Sequence, residues 1–222
     1  MGCDYPDQIP VTMADMFQKM KDTRRNGNIA EGILSASEYL DYLPANRKMA
    51  LTEQELALTE GGEQFLKRFL SLLSACGKAY DYILLDAPPS PGMVTVNALA
   101  ASDGVLIPTQ AEYLAAKGME QLLQTVLQIR RMWNPKLQIL GILPTMVNPY
   151  TRDGKEVLQL LTETYGDSIG ILPVVPYSVR AKEISSRGKS IYQLDRGGKV
   201  AEAYSHLVSE ILMRTESGGQ EG

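Results

Sequence analysis

The sequence predicts an α/β protein, a mostly parallel sheet with helices on both faces. Three observations carry this. From Tyr82 onward, apolar runs of strand length alternate with segments of helical periodicity, as happens when each strand is returned to the sheet by a helix. Polar loops, several with proline, follow the apolar runs, on the rim where open parallel sheets bind ligands. The 222 residues, 44% of them hydrophobic, suffice for one compact core.

The first eighty residues are the least regular. Residues 11–21 read as a helix, 39–43 alternate like a strand, and 64–73 carry an apolar stripe at helical spacing. Residues 82–85 form a short apolar strand, expected in the middle of the sheet, 93–101 a helix of small residues, and 104–107 the next strand. The clearest helix follows: Met119, Leu122, Leu123, Val126, Leu127 and Trp133 repeat on one face, and Asn134-Pro135 stops it. A strand over 137–143, a helix over 153–165 closed by Gly166 and a strand over 171–175 come next. Ser178 is placed to cap a short helix that ends before Gly188. The last helix is expected over 200–213, with a disordered tail at 215–222. No repeat or linker divides the chain, so a single domain over 1–222 is expected. Trp133, the methionines and the leucine stripe read as core.

Lys+Arg 22 against Asp+Glu 26 gives a net charge of -4, so the chain is not a general polyanion binder. The charge is uneven, however. Six basic residues (Arg180, Lys182, Arg187, Lys189, Arg196, Lys199) face two acids (Glu183, Asp195) between positions 180 and 199. By itself such a run is a solvated helix face. Cys3 and Cys76 lack metal-ligand spacing and read as reduced thiols. No apolar run has the length of a membrane span, and Pro6 stands where an acylation signal at Met1-Gly2-Cys3 needs Ser or Thr.

The chemistry centres on Tyr82-Ile83-Leu84-Leu85-Asp86-Ala87-Pro88-Pro89-Ser90. An apolar strand that delivers one carboxylate and then breaks at prolines is how nucleotide hydrolases place a magnesium-side acid, the Walker B element. Such an acid works opposite a phosphate-cradling G-x-x-x-x-G-K-[ST] loop, and the 222 residues contain none. Gly188-Lys189-Ser190 comes nearest, but Glu183 stands where the first glycine belongs. Four polar loops should share the ligand rim: 86–90, 108–112, 145–148 and 176–180.

The strings Asp81-Tyr82-Ile83-Leu84-Leu85-Asp86-Ala87-Pro88-Pro89-Ser90, Thr95-Val96-Asn97-Ala98-Leu99 and Val105-Leu106-Ile107-Pro108-Thr109-Gln110-Ala111-Glu112-Tyr113 together resemble the ParA/Soj family of deviant-Walker partition ATPases. The likeness continues through Gly141-Ile142-Leu143-Pro144-Thr145-Met146, Val175-Pro176-Tyr177-Ser178-Val179-Arg180 and Gly188-Lys189-Ser190-Ile191 to Ala201-Glu202-Ala203-Tyr204. It implies a P-loop NTPase-like fold. It also implies that the first βαβ unit is missing, because Val11-Thr12-Met13-Ala14-Asp15-Met16 matches a segment that follows it in relatives. Such a unit needs at least ~30 residues, more than precede Val11. A start assigned too far downstream, a naturally shortened paralogue, or a unit supplied in trans would each explain this.

The resemblance assigns roles by position. Asp86 would hold a magnesium-bound water, an outer-sphere role that suits magnesium. Pro88, Pro89 and Ser90 would open the γ-phosphate switch. Asn148 would read the adenine edge, and Pro176 and Val179 would wall the base. Arg180 would contact DNA, with Lys182, Arg187 and Lys189 beside it. Two departures weaken the DNA inference: Tyr150 and Tyr177 stand where relatives carry arginine, although Arg152 lies near the first.

The implied function is chromosome or plasmid partitioning with ATP and Mg as cofactors. ATP sandwiches a dimer, the dimer binds DNA without sequence preference, and a ParB-like partner stimulates hydrolysis. The chain alone is expected to be inert as an ATPase and to reside in the cytoplasm on the nucleoid, with no membrane partner. The alternatives are a non-catalytic module that binds a ParA or ParB partner, or a MinD-like membrane-cycling ATPase. Glycines and acids after the last helix argue against the latter.

Overall fold

The computed structural model describes residues 8–21, 28–88, 90, 92–110, 113–148 and 150–218. Their contacts fall into two compact units, one of residues 104–124 and 138–218, the other of residues 8–103 and 125–137.

The first unit holds the parallel sheet. Strand β3 (Gly104–Gln110) pairs in parallel with β4 (Gln138–Thr145), from Gly104 opposite Gln138 to Gln110 opposite Thr145, with a bulge between Val105 and Leu106. Side chains alternate across a pleated strand, so β3 feeds two cores. Val105 and Ile107 pack with Ile142, with Met119 and Leu123 of α5 (Tyr113–Met132), and with Val157 and Leu161 of α6 (Arg152–Tyr165). Leu106 joins Leu143 on the other face, against Ile184 of α7 (Val179–Arg187), Ile191 of α8 (Ile191–Leu194) and Val200, Ala203 and Leu207 of α9 (Lys199–Gly218). Helices thus cover both faces, as expected.

The strand expected over 171–175 is formed only in part. Ile171 bridges Ile142, and Pro176 bridges Val147, both in parallel. Hydrogen bonds run from Leu172 N to Ile142 O (2.8 Å) and from Val175 N to Pro144 O (2.9 Å). The next donor needed from β4 is the amide of residue 144, and proline has none. The ladder therefore breaks at Pro144 and resumes at Val147.

The second unit is mostly helical. Helices α1 (Met13–Lys21), α2 (Met49–Leu58), α3 (Phe65–Ala75) and α4 (Met93–Ala101) accompany an antiparallel hairpin of β1 (Leu34–Ser37) and β2 (Leu40–Tyr42). Met16, Phe17, Leu56, Phe65, Phe69 and Leu73 make its core, with Phe17 and Phe65 edge to face at 4.5 Å. Periodicity missed α2 because its leucines share no face: Leu56 is buried while Leu51 and Leu58 are exposed.

Two expectations are corrected. Residues 82–85 are not a central strand. They belong to no ladder among the described residues, Tyr82 and Ile83 are about half exposed, and Leu84 is 93% exposed. A strand exists only through neighbouring strands that satisfy its amides and carbonyls, and among the described residues no strand pairs with this segment. The last helix also runs further than the expected 200–213, since α9 continues to Gly218; residues 219–222 lie outside the described residues.

Candidate nucleotide site and basic surface

Asp86 follows residues 82–85 and is exposed, not the deep carboxylate that a central strand would deliver. The turn after it is nevertheless anchored. Thr95, third residue of α4 and only 6% exposed, donates its hydroxyl to Ser90 O at 2.6 Å, with Pro88 O 3.1 Å away. Asn97, 4% exposed, ties the same helix to its neighbours. Its Nδ2 donates to Gly62 O (2.8 Å) and Met93 O (2.9 Å), and its Oδ1 accepts from Leu66 N (2.9 Å). Gly92 has no side chain with which to cap α4, and Glu53 of α2 substitutes by accepting from Val94 N at 3.3 Å. A carboxylate there also complements the positive end of the helix dipole. Pro88 and Ser90 thus sit on a fixed helix end, while Pro89 lies outside the described residues.

In the sheet unit the strand ends converge. Thr145 donates its hydroxyl to Thr109 O at 3.3 Å. Val147 N donates to Val175 O (3.2 Å), and Tyr177 N to Val147 O (2.9 Å). These bonds set Asn148 beside the loop that carries Pro176 and Val179. Met146, just before, has φ 54, a left-handed conformation uncommon for a non-glycine residue. Asn148 is itself braced. Its Oδ1 accepts from Tyr150 N (3.1 Å), its carbonyl accepts from Thr151 Oγ1 (3.0 Å), and that hydroxyl in turn caps α6 at Gly154 N (3.3 Å). A Cβ on Gly154 would stand 2.5 Å from Asn148 O, so only glycine fits. The Asn148 amide NH2 is left as a donor toward an acceptor such as a ring nitrogen. Ala111 and Glu112 of the 108–112 loop lie outside the described residues.

The basic surface is partly occupied. Ser178 caps α7 by accepting from Ala181 N at 3.4 Å, and Gly188 closes it in a left-handed conformation. Arg180 is exposed but paired, its Nη1 2.9 Å from Asp195 Oδ1. Lys189, Arg196 and Lys199 are exposed without an acidic partner among the described residues. The side chains of Lys182 and Arg187 lie outside the described residues. Arg152, which could have stood in for a DNA contact, is held by Glu156 at 2.6 Å.

Asn148, Pro176 and Val179 can meet a base. Asp86 is free to hold a water of a magnesium shell, a role that needs no carboxylate cluster, and among the described residues there is no group of three or more possible metal ligands. For the triphosphate the chain offers no glycine nest and no loop lysine.

Parallel strands faced by helices on both sides, with polar loops at their carboxyl ends, define an α/β domain. Residues 5–139 match a family model described as an AAA domain. The chain is 41% identical over 205 residues to the sporulation initiation inhibitor protein Soj of Bacillus subtilis, covering 91% of this chain and 79% of that protein. It is 36% identical over 190 residues to the chromosome-partitioning ATPase Soj of Thermus thermophilus, covering 86% and 73%. A solved structure of cobyrinic acid a,c-diamide synthase from Mycobacterium smegmatis, with bound ATP analogue and magnesium, superimposes with a TM-score of 0.76 at 29% identity, covering 96% of this chain and 76% of that one. The chain belongs to the ParA/Soj family of partitioning ATPases.

Proposed function

We propose that this chain is the partitioning-ATPase domain of a DNA segregation switch, equipped for the base and for the magnesium shell but not, within these 222 residues, for the phosphates. The observation that supports this best is the braced Asn148 beside the loop of Pro176 and Val179. Asp86 holds a magnesium-bound water, and Pro88 and Ser90, tethered through Thr95, relay the state of the γ-phosphate to α4. Bound ATP and magnesium supply the phosphoryl group and its charge neutralisation; without a phosphate cradle the chain by itself does not turn over. The partners are DNA bound without sequence preference through the Arg180 surface, a second copy, and a ParB-like stimulator, which implies residence on the nucleoid.

The exposed apolar residues Tyr82, Ile83 and Leu84 favour a second reading, a non-catalytic module that binds another ParA chain through this segment. One experiment separates the two. The strand–glycine-loop–helix unit of the Bacillus subtilis relative is joined upstream, and ATP hydrolysis is measured with and without DNA. The ATPase-domain reading expects turnover from the joined protein, none from the chain alone, and loss of turnover in Asp86→Ala. A folded but silent joined protein leaves the interaction module.

A further inference from the structure

Among the basic residues with described side chains between positions 180 and 199, only Arg180 pairs with an acid, and that acid is built in. Asp195 follows α8, whose start is fixed by a reciprocal cap between Ser190 and Gln193 and whose first residue, Ile191, is buried in the sheet-unit core. Asp195 N donates to Ile191 O (2.8 Å), and Gly198 N donates back to Asp195 O (2.9 Å). The carboxylate packs against Gly198 at the place a Cβ would occupy. The acid is therefore the fixed partner, 24% exposed, and the arginine the free one, 70% exposed on its own helix. Near them in sequence, Lys189, Arg196 and Lys199 are exposed without an acidic partner among the described residues.

We propose that Asp195 is an internal competitor for Arg180, a clamp that makes this surface respond to a run of phosphates and not to a single anion. The inference rests on the DNA-facing reading of the surface. An isolated phosphate gains one guanidinium but must strip it from Asp195 and then lie beside the uncovered carboxylate. A polyanion reaching Lys189, Arg196 and Lys199 at once has other contacts with which to offset that loss. Opening the clamp costs every anion the same factor in affinity, which only a ligand with several further contacts can bear, so Asp195 sets a threshold for binding without touching the ligand.

The test is a double-mutant cycle on the full chain. Fluorescence anisotropy at low salt measures binding to a labelled duplex and to a labelled dinucleotide, for the parent, Asp195→Asn, Arg180→Ala and the double variant. Glu202→Gln serves as an equal change of charge at an exposed position in the first turn of α9. Asp195→Asn should tighten duplex binding about three-fold, within what an exposed ion pair can supply. The gain should shrink in the Arg180→Ala background and exceed that of Glu202→Gln. Binding to the dinucleotide should improve by a similar factor from a far weaker starting point. Equal gains from Asp195→Asn with and without Arg180 would mean that the pair stays closed on DNA, which overturns the clamp alone, provided Arg180→Ala still weakens binding more than Arg130→Ala, a control at an exposed arginine in the last turn of α5, outside the 180–199 run. If those two arginine variants lose equally, or nothing binds even at low salt, the DNA-facing reading fails and the clamp with it.

Discussion

Replacing Asn97 by alanine should be among the more damaging single changes in the helical unit. The side chain is 4% exposed and makes three hydrogen bonds to backbone groups of separate segments. Of these, Met93 O sits within the same helix and keeps its ladder partner. Gly62 O, in the turn before α3, keeps the amide of Phe65, but Leu66 N at the start of α3 is left without its acceptor. A buried group left without a partner costs about 1–3 kcal/mol, so Asn97→Ala should destabilise the unit by about 2 kcal/mol. With a urea slope of roughly 1–3 kcal/mol/M, the midpoint should fall by about 0.7–2 M. Asn97→Asp keeps the acceptor for Leu66 N but turns oxygen toward Gly62 O and Met93 O, and should be at least as harmful. The single tryptophan makes the assay local. Trp133 lies in the same unit, and the next residue, Asn134, donates to Leu99 O (2.9 Å) and Ser102 O (2.6 Å) at the end of α4. Its fluorescence during urea unfolding therefore follows the unit that Asn97 holds. A midpoint within about 0.2 M of the parent, below what one lost buried hydrogen bond shifts, would refute this reasoning.

Three further outcomes are expected. Burial alone would raise the pKa of Asp15, but hydrogen bonds from Lys48 and Thr12 hold its carboxyl below the usual range. A depressed folded-state pKa contributes stability above the unfolded value of ~3.9 and loses it as the pH falls through the folded value. Asp15→Asn should therefore destabilise at neutral pH and differ less and less from the parent below about pH 4, as thermal melts across that range would show. Thr95→Val removes the hydroxyl bonded to Ser90 O and should speed amide hydrogen exchange over residues 85–90, while Thr95→Ser should not; equal rates in all three proteins would mean that the turn is held by other contacts. Leu84 is exposed on a segment without a strand partner, and such surfaces favour association. Leu84→Lys should lower the self-association seen by sedimentation, and a parent protein that is already cleanly monomeric would contradict this.

Much of the sheet unit was legible because its signals are local. Alternation over β3, the long stripe of α5, and Ser178 and Gly188 at the two ends of α7 each follow from neighbouring residues. Residues 82–85 were misread because an apolar run looks the same with or without a ladder partner. Helix α2 was missed because its apolar residues fall on more than one face. The devices that fix the candidate site are tertiary. Nothing adjacent in sequence says that Glu53 caps α4, that Asn97 reaches Gly62, or that Arg180 meets Asp195 fifteen positions on, far beyond helical spacing. Gly154 left a faint trace, a glycine inside an otherwise helical run, and its cause is the carbonyl of Asn148 lying against it.

Calorimetric titration of the unaltered chain with ATP, with and without magnesium, bears most directly on a partitioning-ATPase domain that holds the base and the magnesium shell but not the phosphates. Without an amide nest or lysine to offset the triphosphate charge, binding should stay weak, with no saturation at micromolar nucleotide and little difference between ATP and adenosine. Micromolar, magnesium-dependent ATP binding abolished by Asp86→Ala would contradict it, since some other part of these 222 residues would then be cradling the phosphates.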